Sequence, residues 1–390
     1  MEKAYKYRLY PNGVQKQLLE KHFGATRWIY NYGLERKIKT YQDSKTKISC
    51  FEIIKEIPKL KQQEETKWLK EINAQSLQMS LRSLDNAYTK FFRDKKGFPK
   101  FKNKFSKRSF SIPQGNKIDF EKSIASFIKI GKIKIRIDRS FEGRIIKATI
   151  DKNSVNQYFV SYTVIDKTKE KKPKKIRERT TIGIDLGLKH FIVMSNGTRI
   201  ENPKYLKQSE KRLGVLQRRL SRKQKGSQNR QKAKLKVAKI HLKIKNQRSD
   251  FLHKLTGQLT HENQVDSYAL ETLQVNNMMK NHHLAKSIQD ASWSEFVRQM
   301  EYKCRWYGKN LLRIGTFEPS SKMCLCGIVN QTLTLANREW TCRSCQRVND
   351  RDLTAAINIK NFALSGRGTP REPVELSQQG NEEAGIKLLN

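Results

Sequence analysis

Apolar and polar positions change period several times along the chain, and each change predicts an element. Residues 1 to 10 alternate, with Ala4, Tyr5, Tyr7 and Leu9 as the apolar set, so they read as a strand ending at Pro11. From Val14 the period becomes helical: Leu18, Leu19, Phe23, Trp28, Ile29 and Tyr32 recur at that spacing, and Asn12 suits the cap. Two more helices are expected near Phe51 to Glu56 and Ala74 to Phe92. The second puts Leu77, Leu81, Leu84, Ala87 and Phe91 on one face, the stripe of an ordinary helical core. Residues 108 to 165 then return to short strands: 109–112, 125–130, 133–137, 144–150 and 157–164. That spacing predicts a small barrel or sandwich, which the first strand joins with the helices as an insertion. Lys167 to Arg179 is charged and contains Pro173, so a boundary is expected near 175 to 180.

The second half opens on Thr181-Ile182-Gly183-Ile184-Asp185-Leu186-Gly187, a run of aliphatic residues leading to one carboxylate. Phe191 to Met194 reads as the next strand, Asn196-Gly197 as a two-residue turn and Thr198 to Ile200 as a third strand. Two helices follow. Leu206, Leu213, Leu216 and Leu220 stripe the first; Leu235, Ala238 and Leu242 stripe the second; Gly226-Ser227 breaks them into a hairpin. Ser267 to Glu271 is a strand with Glu271 at its end. A helix over Ser292 to Tyr307, a strand over Leu311 to Ile314 and a helix opening at Asn349 to Asp352 complete the pattern. From Ser365 the composition turns to Gly, Pro, Glu, Gln and Ser, which predicts a flexible tail.

Charge changes this picture. The formal net charge is +43, an excess that repels itself in a compact chain and so implies a polyanionic partner. Nucleic acid leads; a membrane surface is the alternative, but no apolar run is long enough to span, and the start has no signal-peptide core. Residues 204 to 248 carry 17 Lys or Arg against Glu210 alone, a density that predicts sequence-independent backbone contact, with Arg212, Arg218, Arg219, Arg222, Lys223 and Lys234 as candidates. Phe98, Lys100, Phe101 and Lys102 interleave rings with ammonium groups. The pattern fits phosphate contact with base stacking, and equally a solvated loop with its rings tucked into a core.

Four of the six cysteines cluster as Cys324 and Cys326, then Cys342 and Cys345. Two thiolate pairs across a hairpin-sized loop match a structural zinc site, and the reduced thiols point to a cytoplasmic setting; Cys50 and Cys304 are expected as buried thiols. Asp185, Glu271 and Asp352 come from separate elements and could converge on two divalent ions, Mg²⁺ or Mn²⁺, for phosphodiester cleavage. Asp350 competes for the third place, but it suits the helix cap.

With those residues in hand, the chain resembles the TnpB family of transposon-encoded RNA-guided nucleases, relatives of the type V CRISPR effectors. The resemblance rests on Tyr5-Lys6-Tyr7-Arg8-Leu9-Tyr10-Pro11, Gly97 to Lys102, Gly183 to Gly187, Glu271-Thr272-Leu273, Asp290 to Trp293, Ser320-Ser321-Lys322 and Asp350-Arg351-Asp352 with Ala355 to Ile359. It implies a multidomain α+β chain: an RNase H-like (RuvC) nuclease at 181–315 and 349–364, with a basic hairpin at 203–260. A zinc ribbon at 316–348 is inserted in it. A wedge-type β-barrel at 1–10 and 108–170 would carry a helical recognition lobe at 11–107, with 171–180 as linker and 365–390 as tail. Asp185, Glu271 and Asp352 would be the catalytic acids. The implied partners are a guide RNA from the transposon end and double-stranded target DNA beside a short motif, with the protein a monomer. Two departures stand out: Thr354 where the family shows Asn, and the contracted Cys324-Leu325-Cys326 pair. The rivals are an RNA-guided repressor without cleavage, which would be expected to lack an acid, an acidic-triad transposase, and a general RNA-binding protein with a zinc ribbon.

Overall fold

The computed structural model describes residues 1–262, 264–334 and 337–366 and the backbone of 368–370. Two compact units divide it, residues 1–169 and 170–390.

In the first unit β1 (Glu2–Tyr10) is followed by α1 (Gly13–Ser44), α2 (Cys50–Leu60), a 3-10 turn and α3 (Ala74–Arg93). Asn12 caps α1 through a reciprocal box with Gln15, and Ser49 does the same for α2 with Glu52. Six strands come next: β2 (Arg108–Ile112), β3 (Asn116–Asp119), β4 (Ile124–Phe127), β5 (Gly131–Arg136), β6 (Gly143–Lys152) and β7 (Tyr158–Asp166). With β1 they make one antiparallel sheet in the order β2-β6-β7-β1-β5-β4-β3. The end strands β2 and β3 do not pair with each other, so the sheet is a half-barrel and not the closed barrel or sandwich that spacing alone suggests. Tyr7, Tyr162, Val160 and Ile133 form its core, joined by Leu19 and Phe23 of α1. Ile29, Ile53, Leu77 and Leu81 form a separate core between the three helices.

In the second unit β8 (Thr181–Leu186), β9 (His190–Met194) and β10 (Arg199–Glu201) form a meander. Then come α4 (Tyr205–Ser221), α5 (Gln228–His261), β11 (Ser267–Glu271), α6 (Val275–Met278), α7 (His282–Ala291), α8 (Trp293–Tyr307) and β12 (Asn310–Ile314). A small hairpin of β13 (Glu339–Thr341) and β14 (Val348–Asp350) leads directly into α9 (Arg351–Leu364). The backbone of β15 (Gly368–Pro370) pairs antiparallel with β12, so residues 368–370 of the expected tail are strand; residues 371–390 lie outside the described residues. The sheet order is β10-β9-β8-β11-β12-β15, with β8, β11 and β12 parallel. Ile184, Leu186, Tyr268 and Leu270 point to one face and pack on Leu252, Trp293, Phe296 and Met300 of the helices. Ala269, Leu312 and Ile314 point to the other and pack on Ile359 and Phe362 of α9.

The helical hairpin α4–α5 breaks near Gly226-Ser227, with Ser227 capping α5. Its seam differs from the expected one. Leu213 meets Val237, Ile240 and Ile244, while Leu235, Ala238 and Leu242 are only half-buried. Both stripes have helical spacing, and the β-branched one takes the seam. Among the described residues no helix is long and apolar enough to cross a membrane.

Candidate functional site

Strand alternation sets the site. Residues i and i+2 share a face, so Asp185 points to the same side as Gly183, and Glu271 to the same side as Ala269. That side carries α9. Gly183 is where the helix comes closest: a Cβ there would lie 2.0 Å from the Ala356 carbonyl oxygen and 2.8 Å from the Lys360 amide nitrogen. Asp352, Ala356 and Lys360 are spaced by four and form one stripe of α9. The stripe that grips Gly183 therefore carries Asp352 towards Asp185. Between the parallel strands, Leu270 is in register with Ile184, which makes Glu271 and Asp185 the next neighbours.

The three acids thus act on one another as charges, although their oxygens do not all lie within 4.8 Å of one another. Burial holds the Asp185 carboxyl well above the usual carboxylate range, and the charges of Glu271 and Asp352 raise it further, against a smaller opposing pull from Arg351 and Arg338. Burial also raises Glu271, with Arg351 opposing. All three acids keep partial solvent access. Asp350 does not share their position: one of its oxygens accepts the Leu353 amide at 2.9 Å as the cap of α9, and the other accepts Arg199 at 2.7 Å. Thr354 is buried within α9. Arg338, which no motif marks, donates to both oxygens of Asp352, at 3.3 and 3.4 Å, while its own carbonyl accepts the Arg351 amide. The signal available for it was a lone arginine two residues before the buried Trp340.

Among the described residues, the four cysteines are the group of three or more metal-ligating side chains whose ligand atoms all lie within 4.8 Å of one another. The Sγ atoms of Cys324 and Cys345, and of Cys326 and Cys342, are 3.6 Å apart, close to the edge of about 3.8 Å for a tetrahedron with Zn–S bonds of about 2.3 Å. Gly327 resolves the contraction of the first pair. Its φ of +92° lets the chain turn back at once, its amide donates to the Cys324 carbonyl, and the Cys324 amide donates to Ile328. Burial pushes the Cys324 thiol up, but the Cys326 amide and Asn349 outweigh it and bring the group down to about 6. The Cys345 amide lowers Cys342. Burial and hydrogen bonds among the thiols outweigh the Ile328 amide and hold Cys326 up, at about 12. Asn358 ties this module to α9, donating to the carbonyls of Ser320 and Met323 at 2.8 and 2.7 Å. Cys50 and Cys304 are buried thiols, and burial raises Cys304 to about 12.

Of the basic candidates, Arg212, Arg218, Arg219, Arg222, Lys223 and Lys234 are all exposed on the hairpin. A shallow depression between its helices is lined by Arg219, Lys223, Lys232 and Lys236. Asp290 of α7 anchors the hairpin base, accepting the Leu206 amide at 3.0 Å and Arg248 at 2.6 and 2.8 Å. Lys100 is exposed, but Lys102 turns inward. Its ammonium lies 3.7 Å from the Tyr30 ring centre, and burial lowers it to about 8.

A mixed α+β chain with a crowded acid trio beside a thiol quartet defines a class, and comparison with known proteins narrows it. Residues 159–282 match a family described as "Probable transposase", residues 293–359 a "Cas12f1-like, TNB domain" and residues 1–46 a "Helix-turn-helix domain". The last label does not describe this fold, in which those residues hold one strand and one unbroken helix. A "Putative RNA-guided DNA endonuclease" of Streptomyces pristinaespiralis is 36% identical over 94% of this chain and 90% of its own length. A second, "Putative RNA-guided DNA endonuclease InsQ" of Escherichia coli K12, is 30% identical over 96% and 98%. In fold the chain is similar to Cas12f1 in a complex with sgRNA and target DNA, with a TM-score of 0.56 at 15% identity over 93% of this chain and 99% of that one. The chain belongs to the TnpB family.

Proposed function

We propose that this chain is an RNA-guided endonuclease that cuts double-stranded DNA beside a short transposon-associated motif, with Asp185, Glu271 and Asp352 as its catalytic acids. The observation that carries the reading is the packing of α9 on Gly183 and the β8–β11 register, which turn Asp352 and Glu271 towards half-buried Asp185. Such a trio is costly unless a cation shares it. Its donor set is all oxygen, which suits Mg²⁺ or Mn²⁺. When bound, two such ions supply an activated water and stabilise the leaving oxygen. Asp185, Glu271 and Asp352 would hold the ions, and Arg338 would fix the rotamer of Asp352 and offset part of its charge. The cysteine quartet would hold structural Zn²⁺.

The strand order β10-β9-β8-β11-β12 supports an RNase H-like core with the ribbon at 316–348 inserted before its last helix. The half-barrel would be the wedge domain and α1 to α3 the recognition lobe. The relatives' names and the Cas12f1 likeness support guide RNA and target DNA as partners.

The test starts from the protein purified with its co-expressed RNA, whose sequence defines a matched plasmid. Asp185→Asn, Glu271→Gln and Asp352→Asn should each reduce Mg²⁺-dependent cleavage by at least about a hundredfold, a loss of the order expected when catalytic geometry is lost, with plasmid binding retained. Asp350→Ala should keep most of its cleavage. Equal loss from Asp350→Ala and Asp352→Asn would reject the assignment, and target binding without cleavage by the unaltered chain would make it a repressor.

A further inference from the structure

The first unit carries an aromatic surface that cleavage chemistry does not use. Residues 88–108 hold six aromatic residues and nine Lys or Arg against one acid, Asp94. Tyr88, Phe91 and Phe92 lie on the last turns of α3, and Phe98 folds back onto them, edge-on to Tyr88 at 5.5 Å and to Phe91 at 5.4 Å. Phe92 stacks on Tyr88 at 6.4 Å. The rings touch as a core would, yet they face water: Phe92 is 65% and Phe98 46% exposed. The chain beyond them adds Phe101 at 55% and Phe105 at 75%.

This segment is held in place. Pro99 is buried, and Asn31 clips the Lys102 backbone from both sides, accepting its amide and donating to its carbonyl at 2.8 Å each. Pinned at those two points, the segment presents Phe98, Lys100 and Phe101 outward. Exposed rings at this density mark an interaction surface. The charge around them identifies the occupant. A neutral apolar partner gains nothing from nine cations, and a duplex keeps its base faces stacked on one another. An unpaired strand offers both a polyanionic backbone and free π-faces.

We propose that this face is a stacking platform for single-stranded nucleic acid, in which Phe92, Phe98, Phe101 and Phe105 receive unpaired bases while Lys100 and Lys104 hold the backbone. It is a second nucleic-acid site and does not rest on the cleavage reading.

The test uses the full chain freed of RNA, with a labelled oligouridine of roughly 20 nucleotides and a duplex of the same length as probes. Anisotropy is read over a range of salt. Phe98→Ala with Phe101→Ala should weaken the single strand at least about tenfold, leave its salt slope unchanged, and alter duplex affinity less than about twofold. Lys100→Gln with Lys104→Gln should weaken both probes and lower the single-strand slope by about 1.4. Phe105→Ala, whose ring is mostly in solvent, gives the same signature on a smaller scale, about threefold, and disturbs no core. Equal loss for both probes, or none for either, overturns the proposal. So does a change of oligomeric state in light scattering with single-strand affinity intact, which would give the face to a second copy of the chain.

Discussion

At the scale of single residues, the site is held together against its own charge. Asp185 is the clearest case: folding buries its carboxyl and sets two others against it. The cation-free protein should therefore be destabilised by the group proposed as catalytic. Asp185→Asn is expected to raise the melting temperature of the cation-free protein by about 2–4 °C, the shift that roughly 1 kcal/mol produces in a domain of this size. Mg²⁺ should then stabilise the unaltered protein more than the variant. The pH dependence has a definite sign. Folded Asp185 keeps its proton at pH values where the unfolded chain has lost it, so the contribution of this group to cation-free stability should fall as pH rises above the ordinary aspartate value of 3.8. The gain in melting temperature from Asp185→Asn should therefore grow with pH through that range; a gain that shrinks with pH, or a melting temperature that Asp185→Asn lowers, would contradict this account of the trio.

At the scale of elements, the β8–α9 contact carries the geometry. Gly183 admits the Ala356 carbonyl where any side chain would collide with backbone. Gly183→Ala should cost about 1–3 kcal/mol, and by pushing α9 outward it should reduce cleavage by about a hundredfold. Melting curves with and without Mg²⁺, read beside cleavage rates, check both halves. A variant with full cleavage would show that α9 does not position Asp352. These elements show what the sequence made legible. The strand with Asp185, the strand ending at Glu271 and the capped helix start at Asp350 all carry strong local signals: alternation, an abrupt end, an Asx cap. What brings them together was not local. Gly183 looked like one glycine in a strand until α9 lay across it. The seam of α5 went to Val237, Ile240 and Ile244 because two stripes of equal spacing compete, and only the partner helix decides. Asp290 and Arg338 act through partners 84 and 14 residues away, which no single-chain period can reveal.

At the scale of the whole molecule, a net charge of +43 has to be balanced by a polyanion. Residues 204–248, which span most of the α4–α5 hairpin, carry 17 of the chain's 80 Lys and Arg. Replacing Arg218, Arg219 and Arg222 with Gln should reduce the log–log salt slope of duplex binding by up to about 2.7, at about 0.9 for each lost phosphate contact. Titrations at several salt concentrations decide this, and an unchanged slope would remove the hairpin from the interface. The ribbon adds a different long-range dependence. Asp350 ends its last strand and caps the helix that starts at Arg351, so no spacer separates the sulfur module from the third acid. Under the proposed function, soft and hard metal chemistry would thereby be wired in series. An oxidant that reached Cys326 or Cys345, the two exposed thiols of the quartet, would then silence the proposed cutting without modifying a single carboxylate.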